Sequence, residues 1–319
     1  MQCSFISGLF LLRFPSPSFW IVIMLGNGGS EGQKLVEIFS RRSQELKAIC
    51  QTYSVLYGHD LLRVISSNQK SSAFTRLAYL RVSDPQSRDA EILRRVLVAG
   101  SINLGTLIEI TCTRSSSELH YIKQQYYSRY QSDLELDISM KVSSGFKEIL
   151  AAICKSCRNH THKADTSLAF CDAKTLYESV ESGRTIDQKT IISLLSQRNT
   201  SQVKAILLSY KQLYGHEFSK LVKQSKCGQF GQDLRIVIRC IQNPEKFFAK
   251  QLRMRNADAR EILVRIIVTR SEKDIKDINR VFSAKTGSSL EYLVRREFNG
   301  VKEKASETVA AILLELIRG

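Results

Sequence analysis

The chain has 319 residues, 43% apolar and 24% charged, and its Lys and Arg exceed its Asp and Glu by 16. A chain this long can bury a sizeable core, and its surplus of positive charge draws an anionic partner, which excludes neither lipid nor nucleic acid. With four prolines, no long Gly/Ser-rich or acidic linker and eight scattered cysteines, it reads as one compact unit with reduced thiols, not a secreted disulfide frame.

Residues 1–26, MQCSFISGLFLLRFPSPSFWIVIMLG, hold two short apolar runs split by Arg13, Pro15 and Pro17. Neither run approaches the roughly 20 apolar residues needed to span a bilayer. No Lys or Arg precedes Arg13, so the positive start of a signal peptide is missing. The segment reads as an atypical N-terminal stretch.

One pattern then recurs four times. Leu35–Leu61 contains LVEIFSRRS and YSVLYGHDL, and Leu107–Leu134 contains LIEITCTRSSSEL and YYSRYQSDL. The third copy, Asp187–Phe218, is the clearest. Asp187 is an N-cap, and Ile191, Ile192, Leu194 and Leu195 follow at helical spacing. After Gln197-Arg198-Asn199 come Val203, Ile206, Leu207, Tyr210 and Leu213, and Gly215 closes the second helix. Ile262–Leu290 repeats this with ILVRIIVTRSEKDI and FSAKTGSSL. Arg42, Arg114, Arg198 and Arg270 align at intervals of 72, 84 and 72 residues. An aromatic lies twelve residues beyond the Arg in three copies (Tyr126, Tyr210, Phe282) and eleven beyond it in the first (Tyr53). A fourfold repeat of roughly 70 residues built on helical spacing predicts an all-α fold. The repeats are expected over 27–80, 89–153, 171–241 and 245–319, with a polar connector at 154–170.

Three stretches carry a specific resemblance: IEITCTR (Ile108–Arg114), VIRCIQNPEKFFAKQLR (Val237–Arg253) and VRIIVTRSEKDIKDI (Val264–Ile278). They resemble the annexin family, its plant branch in particular, and the likeness runs over nearly the whole chain. It implies four repeats of about five helices in a curved disc, docking its convex face on phospholipid through calcium. It also implies that Asp89 pairs with Arg114 and Asp172 with Arg198. Both Asp residues sit in Asp-Ala pairs expected to begin helices. The aligned arginines need such partners, because an unpaired buried guanidinium is very costly.

An annexin calcium site takes backbone carbonyls from a Gly-x-Gly-Thr loop and a carboxylate some forty residues on. Here the loop positions read Asn27-Gly28-Gly29-Ser30, Ala99-Gly100-Ser101-Ile102, Gly183-Arg184-Thr185-Ile186 and Arg255-Asn256-Ala257-Asp258. The acid positions are read as Thr75, Lys147, Gly231 and Glu307. Gly28, Gly29 and Glu307 are the remnants of calcium sites. No copy joins a glycine loop to its acid, so calcium as a cofactor is expected to be weak or absent. Arg184, Arg255 and Lys147 are candidate cations for an anionic bilayer.

Other chemistry is thin. Cys154-x-x-Cys157-x-x-His160-x-His162 is too compressed for a structural zinc site. By resemblance Cys112 and Cys240 are candidate redox thiols, although buried cysteines usually only pack. Val264-Arg265-Ile266 resembles a short actin-binding tripeptide claimed in the family. Tyr126, Tyr127 and Tyr130 beside Lys123 and Arg129 lack any nucleic-acid module around them, so no nucleic acid is expected. No nucleotide loop, nucleophile elbow or zinc-protease motif occurs, and no enzyme is expected. The sequence reads as a cytoplasmic, peripherally membrane-associated protein binding anionic phospholipid. The alternative is a degenerate scaffold acting in stress response through protein partners.

Overall fold

A computed structural model describes residues 31–67, 72–143, 145–155, 163–182, 185–254, 258–299 and 304–319. The segment 1–26, Gly28, Gly29, Arg184, Arg255, Cys157, His160 and His162 lie outside the described residues. Within them the chain is all-α: nineteen α-helices, one short 3-10 turn and no strand.

The helices follow the repeats. The first copy contributes α1 (Glu31–Phe39), α2 (Ser43–Tyr57), α3 (Leu61–Ser67) and α4 (Ala73–Val82). The second contributes α5 (Pro85–Val98), α6 (Leu104–Thr113), α7 (Ser116–Tyr130), α8 (Leu134–Lys141) and α9 (Gly145–Lys155). The third runs α10 (Thr166–Glu181), α11 (Gln188–Gln197), α12 (Thr200–Tyr214), α13 (Phe218–Leu221) and α14 (Gly228–Gln242). The fourth runs α15 (Pro244–Gln251), α16 (Ala259–Arg270), α17 (Ile275–Thr286), α18 (Leu290–Phe298) and α19 (Lys304–Arg318).

Local chemistry sets the ends. Side chains of Ser72, Asn103, Asp133, Asp165, Asp187, Asn199 and Ser289 each accept the N–H three residues on, where a helix leaves donors orphaned. Ser115 and Glu118 form a reciprocal capping box at the start of α7. Helices α2, α7, α12 and α17 all stop on a left-handed residue: Gly58, Gln131, Gly215 and Gly287, with φ of 66°, 49°, 73° and 70°. Their inward aromatics, Tyr53, Tyr126, Tyr210 and Phe282, are all buried.

The chain divides into two compact units, where the sequence suggested one. One joins the residues up to Ser83 with Ala249–Gly319, and the other is Asp84–Phe248. The first arises because α1 and α4 pack on α19 and α4 also packs on α16, so the first and last repeats share a core. Gly32 allows part of that approach: a Cβ there would lie 3.2 Å from Thr308 Oγ1. In the second unit α9 and α6 pack on α14, and α10 lies along α12.

Several sequence expectations shift. Asp89 and Asp172 do not begin helices; α5 starts at Pro85 and α10 at Thr166, which places both acids further along, where they can face a neighbour. The polar connector is shorter than 154–170, because helix extends to Lys155 and resumes at Thr166. The first copy is not a residue short. Arg114 and Arg198 directly precede the N-caps Ser115 and Asn199, and the residue in that place before the N-cap Arg42 is Arg41. Arg41 lies twelve residues before Tyr53, so the aromatic spacing is uniform. Arg42 itself is exposed.

Candidate functional site

The aligned arginines are framework, two held by the same fork and the others within their own turns. Arg114 Nε donates to Asp89 Oδ2 at 2.6 Å and Nη2 to Oδ1 at 3.3 Å, with both side chains under 5% exposed. Burial alone would lower the Arg114 pKa, but the Asp89 carboxylate, with Glu109 and Glu118 nearby, offsets it and holds the guanidinium above its ordinary value. Arg198 makes the same fork to Asp172 at 2.7 and 3.1 Å, yet its side chain is 22% exposed, so it is half-buried where the sequence suggested full burial. Arg270 pairs within its own turn with Asp274, and Arg41 pairs with Glu37 at 2.9 Å.

Two further clusters escaped the sequence reading. Arg81, buried on α4, donates to the carbonyls of Phe39 (3.0 Å) and Arg41, so it satisfies the end of α1. Its guanidinium also lies 3.6 Å from Glu272, whose carboxylate accepts the backbone N–H and the hydroxyl of Ser43 at 2.7 Å each. In the second unit Asp137 accepts Tyr126 Oη at 2.5 Å, Ser132 Oγ at 2.8 Å and Arg94 Nη1 at 3.1 Å. The Arg94 guanidinium lies over the Tyr130 ring. An acid in the first turn of α8 looked like ordinary helix patterning, which hid its role.

The candidate acid positions of the calcium sites fall within helices. Thr75 and Lys147 are the third residues of α4 and α9, and Gly231 and Glu307 the fourth residues of α14 and α19. All four are therefore inside helices. Gly231 has no room for an acid: a Cβ would meet Cys227 Cβ at 2.3 Å and the Val222 carbonyl at 2.6 Å. Glu307 is exposed and Lys147 half-buried. The residues that do connect the last two helices are Val142-Ser143-Ser144 in the second repeat and Val222–Cys227 in the third. Neither stretch contains a carboxylate. In the fourth repeat Glu303 falls there, outside the described residues.

Third-repeat geometry shows how close these connections lie. Glu181 ends α10, Lys226 sits two residues before α14, and their side chains pair at 3.3 Å. An ammonium thus pairs with the carboxylate that ends α10, while Asp187, at the other end of that loop, caps α11. Among the described residues no group of three or more His, Cys, Asp and Glu is arranged to hold a metal ion.

The remaining candidates are buried. Cys112 and Cys240 are 2% and 0% exposed, and burial, with a hydrogen bond to Cys112, pushes the Cys240 thiol well above its ordinary value. A protonated buried thiol is a poor nucleophile. Val264, Arg265 and Ile266 are at most 2% exposed, so no actin surface can reach the tripeptide in the folded chain. Tyr126 is core, while Tyr127 is exposed. Cys154, the one described member of the zinc-type cluster, is buried, and its carbonyl accepts Lys123 Nζ. No helix among the described residues is long and apolar enough to cross a membrane.

Comparison with known proteins agrees with this architecture. The Annexin family model matches residues 88–153, 171–234 and 254–306. The chain is 30% identical to human Annexin A13 over 85% of its own length and 87% of the relative. It is equally 30% identical to Annexin-like protein RJ4 of Fragaria ananassa, with the same coverage. Among solved structures, annexin III superposes with a TM-score of 0.76 at 27% identity, covering 94% of each chain. Annexins in general bind phospholipid with calcium and are mainly not enzymes. The chain belongs to the annexin family.

Proposed function

We propose that this chain is a peripheral, cytoplasmic membrane-binding protein that docks on anionic phospholipid with calcium contributing weakly or not at all. The observation that carries this reading is the Lys226–Glu181 pair, in which a cation occupies the carboxylate that ends α10, beside the third-repeat loop the resemblance assigns to calcium. Lys147 on α9, with Arg184 and Arg255 at positions the sequence reads as loops, contributes to the formal +16. Each basic residue near an anionic surface contributes roughly 1 kcal/mol, so a few acting together give weak but useful binding. Residual calcium contact at Gly28, Gly29 and Glu307 would be millimolar or weaker.

Co-sedimentation with phosphatidylserine vesicles tests it. Binding should persist in chelator and fade over a few hundred millimolar salt as screening shortens. Charge reversal at Arg184 and Arg255 should weaken it more than reversal at Arg41. Binding that requires calcium and survives high salt would overturn the mechanism. The second reading, a scaffold for protein partners in stress response without lipid binding, draws on Val55 and Leu56, adjacent on α2 and 84% and 58% exposed. A native chain that ignores vesicles under all these conditions would favour it.

A further inference from the structure

The turn between α1 and α2 is closed by borrowed chemistry. In the second and third repeats the helix after the matching turn caps itself, through Ser115 and Asn199. In the first the N-cap is Arg42, whose side chain has no oxygen to offer, and Glu272 of the fourth repeat stands in. Its Oε1 accepts both the N–H and the hydroxyl of Ser43 at 2.7 Å. The same Oε1 faces Arg81 Nη1 at 3.6 Å, past hydrogen-bond reach. The Arg81 side chain is 1% exposed, and its other two nitrogens donate to the carbonyls of Phe39 and Arg41. That buried cation is short of negative charge. Burial lowers its pKa, and Glu272, with a side chain 44% exposed, does not make up the loss.

Ser43 itself is exposed, and Arg41 and Arg42 directly precede it. Arg41, Arg42, Glu272 and Lys273 help to line an open hollow of about 800 Å³ at this turn. Acids line it as well, but Arg270 holds Asp274 and Arg280 holds Asp277. Glu45, exposed on the first turn of α2, opposes an anion there through solvent. A phosphoryl group joined to Ser43 Oγ would put an oxygen near the place Glu272 Oε1 now holds. It carries nearly twice the charge of a carboxylate and has three strong acceptor oxygens, so it cannot share that place with Glu272. It can give Arg81 Nη1 the close acceptor it lacks while still facing the first N–H groups of α2.

We infer that Ser43 is a phosphorylation site, at which the phosphoryl group displaces Glu272 from Arg81 and from the start of α2. Transfer breaks the bond between the γ-phosphorus of ATP and its bridging oxygen and forms one to Ser43 Oγ. The hydroxyl proton goes to the kinase's base, and ADP leaves. The enzyme that fits is a Ser/Thr kinase of the basophilic class, whose acidic cleft takes arginines before the serine. Modification thereby cuts the Ser43–Glu272 tie between the first and fourth repeats and frees the acid on the α16–α17 turn. It does not depend on the lipid-docking reading above.

The test uses the full chain. The catalytic subunit of cyclic-AMP-dependent protein kinase, with magnesium and ATP, should place phosphate on Ser43, as peptide mapping reads it, and Ser43→Ala should remove that label. Label only elsewhere would overturn the site. A chain with phosphoserine installed at position 43 by an expanded genetic code then tests the displacement. Glu272→Gln should lower the melting temperature of the unmodified chain at neutral pH and leave that of the phosphorylated chain unchanged, because the acid has already left. By phosphorus NMR the phosphate should titrate below its ordinary second value of about 6, since Arg81 favours the dianion, and Arg81→Gln should return it. If Arg81→Gln does not fold, the Glu272 comparison decides. An equal Glu272→Gln loss in both forms, or an ordinary titration, would overturn the displacement. Millimolar inorganic phosphate should leave the melting temperature of the unmodified chain unchanged, since Glu272 holds the place. A rise that Arg81→Gln abolishes would assign the place to a free anion and overturn the covalent site.

Discussion

Glu272 caps a helix that begins 229 residues earlier: its carboxylate takes both the backbone N–H and the hydroxyl of Ser43 at 2.7 Å. The same carboxylate faces the buried guanidinium of Arg81, which in turn satisfies the carbonyls at the end of α1. One acid from the fourth repeat thus completes both sides of the α1–α2 turn.

That arrangement predicts an acid-sensitive first repeat. Burial alone would raise the Glu272 pKa, but the hydrogen bonds from Ser43 and the nearby Arg81 charge bring it below its ordinary 4.5. A depressed carboxylate contributes stability that is full above the unfolded value and lost as pH falls through the folded one. Glu272→Gln should therefore lower the melting temperature at neutral pH, and its gap from the native chain should close below pH 4.5. A gap that stays constant into acid would remove the charge from the explanation.

The Arg114–Asp89 fork should be costly to break from one side. Arg114→Met strands a buried carboxylate, at about 3–5 kcal/mol. Arg198→Met should cost less, roughly 1–2 kcal/mol, since part of that guanidinium stays in water. Urea unfolding of both variants measures the order, and equal losses would contradict the difference in burial.

Gln131 stands in the left-handed conformation that glycine fills at the three matching helix ends. Gln131→Gly should remove that strain and raise stability by about 0.5–1 kcal/mol after the entropy glycine adds to the unfolded chain. The same measurement on Gly215→Gln should give a loss.

Calcium titrated into the lipid-free chain should give no isotherm tighter than about a millimolar. Gly231→Glu should not create a site, because even its Cβ would strike Val222 and Cys227; this variant should simply be destabilised. Lys226→Glu, by contrast, sets a second carboxylate beside Glu181. A calcium-dependent rise in melting temperature should appear in that variant alone, and its appearance in the native chain would contradict the assigned role of Lys226.

The repeat, the all-α class and the family were legible in the sequence because helical spacing and capping are local. Apolar residues three and four apart, Asp187 before a helix and Gly215 after one describe the same structure wherever they occur. Register held where the copies were well preserved and slipped by one in the first, where Arg41 and Arg42 offered two equal choices and only the N-cap separates them. The placement of acids needed tertiary structure. A count of forty residues lands inside a helix or just before it depending on one turn, and only the fold locates Lys226 against Glu181. Likewise no local pattern joins Glu272 to Ser43. Those meetings depend on which helices share a core, and that is decided by the packing of whole repeats, not by any stretch of chain within one.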